Sequence, residues 1–226
     1  MKKSDTNALE SMDFAKNYNN YILKKILGNL NEGKIIDFGA GYGTFSEMLI
    51  SLKKNVTAVE VDEEAIKILS KKGIKYIENL SSLTELFENI ISLNVLEHIE
   101  DDQETLESLF KSMQISGKLI LYLPASMLAW SYIDEWVNHK RRYTKNNLSE
   151  KVQKAGFNIL KAEYVDFIGW IGVIFMKLIR YEPALNEKKI VFYDKYIFKP
   201  FRFFDFIFKN IIGKNVFLVA EKPSNK

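Results

Sequence analysis

Cysteine is absent from the 226-residue chain, and histidine is nearly so, with only His98 and His139. The first absence excludes a disulfide scaffold, a thiolate metal site and a cysteine nucleophile. The second leaves too few imidazoles for a histidine-rich metal centre, and no metal is expected. Long apolar runs are also missing. The longest, residues 167–176, is 10 residues with two glycines inside it, against the roughly 20 that a bilayer-spanning helix needs. The opening MKKSDTNALE turns polar where a secretory signal would place its apolar stretch. The net charge is only +3, too small by itself to argue for nucleic acid, and none is expected as a partner. These absences predict a cytoplasmic protein of a reducing compartment.

Hydrophobic residues make up 47% of the chain, enough to bury a sizeable core, and no repeat or Pro/Gly/Ser-rich linker divides it. One domain over 1–226 is expected. Its core would cover about 31–166 and 214–222, with an N-terminal helix over about 6–30, an insertion over about 124–145 and a helical lid over about 167–213. Charge is unevenly spread: residues 177–226 carry 11 Lys and Arg against 5 Asp and Glu. The same stretch is rich in aromatics, and Phe201, Phe204, Phe208 and Ile211 recur at the steps of one helix face. Two readings stay open. One is a helix packed on the core with solvated lysines; the other is a peripheral surface that meets anionic lipid headgroups or a lipid-linked substrate.

Apolar runs at 34–38, 56–61, 74–77, 89–93, 118–123, 158–164 and 216–220 read as strands. Helical stretches lie between them, with Asp62 and Thr144 as N-caps and Gly156 as a terminator. This alternation predicts an α/β fold: a doubly wound, mostly parallel sheet with helices on both faces. Such a sheet binds its ligand beyond the carboxyl ends of its strands.

After the first expected strand the chain reads Ile35-Ile36-Asp37-Phe38-Gly39-Ala40-Gly41-Tyr42-Gly43. Glycines at alternate positions let the backbone turn sharply and approach a ligand closely. Glu60 ends the second strand 17 residues beyond Gly43, where a carboxylate can accept from both hydroxyls of a ribose. The spacing departs from the G-x-G-x-x-G of dinucleotide-binding loops, because Thr44 stands where the last glycine would. A carboxylate as near as Asp37 disfavours a pyrophosphate and suits a cation. A nucleoside with a positively charged tail fits this set.

Residues 35–49 resemble motif I of the class I S-adenosylmethionine-dependent methyltransferases. The likeness continues at Thr57-Ala58-Val59-Glu60-Val61-Asp62 and at Asn94-Val95-Leu96-Glu97-His98, a phrase habitual in one large branch. The resemblance implies a Rossmann-like enzyme with S-adenosyl-L-methionine as cofactor. Gly39, Ala40, Gly41 and Gly43 would wrap its methionine moiety, with Asp37 near the ammonium end. Glu60, beside Val61, would hold the ribose. Asn94 and Val95 would face the amino-acid or sulfonium side. Asn79, followed by Leu80, falls where the family often has an adenine-binding Asp, and its side-chain carbonyl is expected to take that role.

Methyl transfer to a hydroxyl needs alignment and a proton sink, and His98 and His139 are the candidate bases. For His98 the alternative is packing against the cofactor loop. Glu97 is expected to face solvent or to cap the following helix. The insertion gathers Trp130, Asp134, His139, Arg141, Arg142 and Tyr143 just past a strand end. Aromatic faces there could stack on a sugar or lipid head, and paired arginines could grip a phosphate or carboxylate. With Thr144 these residues match a W-x-x-x-D…H-x-R-R-Y-T signature. It resembles a methyltransferase subgroup whose members often look like partners of glycosyltransferases. The implied acceptor is a small molecule, a glycan or a polyprenyl-linked sugar, methylated at oxygen. Competing readings are a cofactor-binding scaffold without activity, a nicotinamide dehydrogenase, and a methyltransferase of protein or nucleic acid. Intact Asp37, Gly39, Gly41 and Glu60 speak against the scaffold, and the glycine spacing speaks against the dehydrogenase. The chain lacks an N-P-P-Y-like tetrapeptide that would favour a flipped base.

Overall fold

The computed structural model describes residues 13–180 and 187–224. The chain runs α1 (Lys16–Leu27), β1 (Lys34–Phe38), α2 (Thr44–Ser51), β2 (Asn55–Val59), α3 (Glu63–Lys71), β3 (Tyr76–Ile77), β4 (Phe87–Leu93), α4 (Asp102–Lys111) and β5 (Met113–Pro124). It continues through α5 (Tyr132–Trp136), α6 (Lys145–Lys154), β6 (Asn158–Val165), α7 (Phe167–Leu178), α8 (Glu187–Phe192), α9 (Lys199–Phe201), α10 (Phe204–Phe208) and β7 (Asn215–Glu221). The part of the expected N-terminal helix over residues 6–12 lies outside the described residues.

All seven strands join one sheet in the order β3-β2-β1-β4-β5-β7-β6. The first five are parallel, and β7 runs antiparallel between β5 and β6. Strand order reverses between β1 and β4, so the loops after these two strands flank the crevice where such sheets bind ligands. Every expected strand is present, with three shifts: β2 ends at Val59 rather than 61, β3 is only Tyr76–Ile77 rather than 74–77, and β5 begins at Met113 rather than 118, because Met113 already pairs with Phe87 across a bulge.

Alternation along the strands fills both faces. Ile36, Ile90, Leu119, Leu121 and Leu218 point to one core, under Leu106 and Leu109 of α4 and Leu148 and Val152 of α6. Ile35, Ile91, Ile120 and Phe217 point to the other, under Ile22, Leu23 and Ile26 of α1. Each such burial contributes roughly 1.5–3 kcal/mol, so the sheet is a rigid platform for its loops. The caps form as read: Asp62 accepts from Glu64 N and Ala65 N, Thr144 accepts from Asn147 N, and Gly156 turns at φ +106°.

Residues 167–213 do not form the single helix face expected from Phe201, Phe204, Phe208 and Ile211. Pro200 has no N–H to donate back along the helix, and the turns before it, Tyr193–Phe198, widen to π spacing. The chain stays helical to Phe201, and the turn at 202–203 separates it from α10. Phe208 stacks on Phe167 with ring centroids 3.8 Å apart, and Phe204 lies beside it, whereas Phe201 and Ile211 are exposed. Among the described residues no helix is long and apolar enough to cross a membrane.

Candidate active site

The glycine loop leaves β1 and folds flat against the tip of β4. Gly39 sits at φ +73°, and a Cβ there would come within 2.4 Å of Val95 Cγ2. The loop is pinned from β2: Gly39 N and Ala40 N donate to Val59 O. The Glu60 carboxylate accepts from Gly41 N and Val61 N, each at 2.7 Å, and from Asp62 N at 3.0 Å. Asp37 is buried beneath the loop, and burial pushes its pKa up to about 6 against the hydrogen bond from Ser46 Oγ. Among the described residues neither Asp37 nor Glu60 is paired with Lys or Arg. Asn94, next after β4, is held at φ +55° with its N–H on Tyr122 O, a left-handed position of the kind that functional sites concentrate.

Asn79 caps its own turn, its Oδ1 accepting from Ser82 N. Leu80 opens that short turn, and Val61 is exposed at the rim.

Glu97 is neither at the surface nor a cap; Asp101 caps the next helix. The Glu97 side chain is fully buried, neither oxygen has a hydrogen-bond partner among the described residues, and burial pushes its pKa up to about 8. It is buried because the insertion folds over it. That segment leaves at Pro124, passes the short α5 and is tied back to β5 by Tyr143 N on Pro124 O and Ser126 N on Tyr143 O. Lys140 N then donates to Glu97 O.

The insertion's polar residues are turned inward. Asp134, itself buried, meets His139 Nδ1 at 2.8 Å and accepts from Arg142 Nε at 2.7 Å and Nη2 at 2.9 Å. Burial would raise its pKa, but these donors win and hold it below the usual carboxylate range. Asp102 collects Tyr143 OH at 2.8 Å, Lys151 Nζ at 2.8 Å and Arg141 Nη1 at 3.0 Å. Arg141 and Arg142 are therefore not the free fork expected for an acceptor: both answer internal carboxylates. Tyr143 is buried, and Trp130 Nε1 donates to Glu135 Oε1.

The two histidines do come together. Their rings meet edge to face with centroids 4.7 Å apart, His98 exposed and His139 largely covered beneath it. His139 Nε2 lies 3.7 Å from Glu97 Oε1. One ligand atom each from Glu97, His98 and His139 falls within a 4.8 Å set, which could also hold a cation.

A family model described as a methyltransferase domain matches residues 14–162. The chain belongs to the class I S-adenosylmethionine-dependent methyltransferases. A ubiquinone biosynthesis O-methyltransferase of Rickettsia canadensis is 30% identical over 197 residues, 75% of this chain and 77% of that enzyme. The mitochondrial enzyme of the same name from Schizosaccharomyces pombe is 32% identical over 100 residues, which span only 36% of its length. A solved S-adenosylmethionine-dependent methyltransferase of Archaeoglobus fulgidus superposes with a TM-score of 0.64 at 18% identity, covering 92% of this chain and 94% of that one; this likeness shows the fold.

S-adenosylmethionine is the methyltransferase's cofactor, and the residues present suit it. Two carboxylates, Asp37 and Glu60, stand at the crevice with no paired Lys or Arg among the described residues, the acceptor chemistry that a cationic nucleoside calls for. A carboxylate has about four acceptor positions, so Glu60 retains capacity beyond its three backbone donors. Sequence reasoning missed a second polar cluster altogether: Tyr18 OH meets Tyr122 OH at 2.6 Å, Asn215 Nδ2 donates to Tyr18 OH, and Tyr193 OH donates to Asp166 Oδ1. These residues are scattered along the chain, and no local signal joins them.

Proposed function

We propose that this methyltransferase O-methylates a hydroxyl on a small lipid-linked acceptor, with His98 as the proton acceptor and His139 as its positioning residue. When bound, the cofactor would supply an electrophilic methyl on a sulfonium, its S–C bond breaking to leave a neutral thioether; His98 would take the proton that the acceptor hydroxyl gives up. The observation that carries the reading is the chain Asp134–His139–His98. Asp134, held ionised, accepts a hydrogen bond from His139 Nδ1–H and fixes that ring, against which the exposed His98 ring packs. Such a built proton sink at a strand tip suits an oxygen acceptor. Supporting it, relatives carry O-methyltransferase in their names and act in ubiquinone biosynthesis. In this proposal Asp37 lies near the ammonium end, Gly39, Ala40, Gly41 and Gly43 line the methionine moiety, and Glu60 holds the ribose. A glycan head on the lipid remains the second reading, favoured by the Trp130–Thr144 signature.

The test is methyl transfer from radiolabelled cofactor to two panels, hydroxylated polyprenyl quinone rings and polyprenyl-linked sugars. His98→Ala should lower kcat by about 10²–10⁴ and leave S-adenosylhomocysteine binding intact. His139→Ala should lower kcat less, with His139→Gln recovering part. Activity lost on chelation and restored by a divalent ion would overturn the proton-sink reading and hand the Glu97–His98–His139 set to a cation.

A further inference from the structure

We propose that the outward face of α7–α10 is a docking surface for an anionic lipid bilayer. Residues 167–213 contain eight Lys and Arg, of which seven are exposed and Lys209 half-buried. Of their four acids, Asp194 and Asp205 are buried, Glu187 is exposed and Glu182 lies outside the described residues. The two inward acids fasten the module. Asp194 accepts from Asn17 N, Asn17 Nδ2 and Tyr18 N at the start of α1, a helix end that favours negative charge. Asp205 accepts from Asp166 N, Phe167 N and Tyr21 OH. Apart from Glu187, the charged side chains that remain outside among the described residues are cationic, and they lie among apolar ones.

The apolar side chains form stripes. Ile171, Phe175 and Leu178 recur at helical steps along α7, and Phe203, Phe206 and Ile207 recur through α10, all exposed, Phe206 at 77% and Leu178 at 76%. Exposed clusters of this kind mark interaction surfaces. Protein interfaces are depleted in lysine, whereas aromatic and aliphatic stripes rimmed by Lys and Arg are the pattern of helices lying in a lipid headgroup region. A second copy docking by the same face would set its cations against each other. An anionic bilayer offers both the apolar layer and the opposite charge.

The position fits as well. β6 is parallel to β5 because both are antiparallel to β7, so α7 departs from the same sheet edge as the cofactor loop. A docked module would thus place the active-site crevice beside the lipid surface. That consequence rests on the acceptor proposed above; the docking itself does not.

Flotation of the full chain, without cofactor or acceptor, tests the docking apart from any methyl transfer. The protein should float with phosphatidylcholine vesicles containing phosphatidylglycerol, stay behind with pure phosphatidylcholine, and lose binding in high salt. Lys199→Glu with Arg202→Glu should lower the bound fraction about tenfold or more, and Leu178→Ser with Phe206→Ser should lower it comparably. Unchanged S-adenosylhomocysteine binding would certify that these variants fold. Failure of the wild type to float while it binds S-adenosylhomocysteine overturns the proposal. So does lipid-free dimerisation that Phe206→Ser abolishes, which would give the surface to a second copy.

Discussion

Asp37 carries two pH effects of opposite sign. Its pKa is raised to about 6 in the folded protein against about 3.9 in an open chain. The folded state therefore holds the proton more tightly, and this group's contribution to stability falls as pH rises from about 4 to 6. The proposed contact with the cofactor's ammonium needs the ionised form, so affinity should rise through the same interval. Calorimetry of wild type and Asp37→Asn across that range should show the wild-type melting temperature dropping relative to the variant. S-adenosylhomocysteine should bind wild type more tightly at pH 7 than at pH 5, with a flat profile in the variant. Glu60 affords a second test. Its three backbone donors make it both a pin for the loop and the proposed ribose ligand. Glu60→Ala should weaken S-adenosylhomocysteine binding about 10- to 100-fold, the worth of hydrogen bonds to a charged group, measured by isothermal titration.

Among the elements, the β1–α2 loop shows the sharpest sequence constraint. Gly39→Ala meets both a positive φ and Val95, whereas Gly73 has a positive φ with nothing within 4 Å of a new Cβ. Gly73→Ala should cost about 1 kcal/mol of backbone strain. Gly39→Ala should cost several times more, and adding Val95→Ala should recover the steric part only, as read from urea midpoints. This loop was legible because Asp37, the glycines and Glu60 lie close together along one strand–helix–strand unit. The strands were legible for the same reason, since each carries its own apolar run. Glu97 was not. Its burial depends on residues 134–142 folding back from a distant stretch, and nothing at 97 announces that cover. The two arginines misled in the same way: their spacing suggested a fork, but Asp102 and Asp134 had to be placed before their occupation could be seen. Pro200 was visible as a residue, yet neither the π widening at 193–198 nor the turn at 202–203 that breaks the single face could be read from it, and Phe201 and Ile211 lie exposed.

For the molecule as a whole, β7 is the keystone of connectivity. It pairs along its length with both β5 and β6 and buries Val216, Phe217, Leu218, Val219 and Ala220 completely or nearly so. Ending the chain after Ile212 should leave β6 without a partner and both cores open, yielding aggregated protein. Ending it after Pro223 should leave the melting temperature unchanged. Solubility and circular dichroism of the two truncations check this.

The place of β7 in the sheet also sets an order in time. A ribosome releases β6 and then the whole aromatic, lysine-bearing stretch of 167–213 before the strand that joins them to the sheet has been made. Through that interval the nascent chain holds an apolar, lysine-bearing stretch on an unfinished sheet, and its long-range pairings close late. The sheet closes only when β7 has paired with both neighbours, so the helices proposed to meet lipid gain their finished support last.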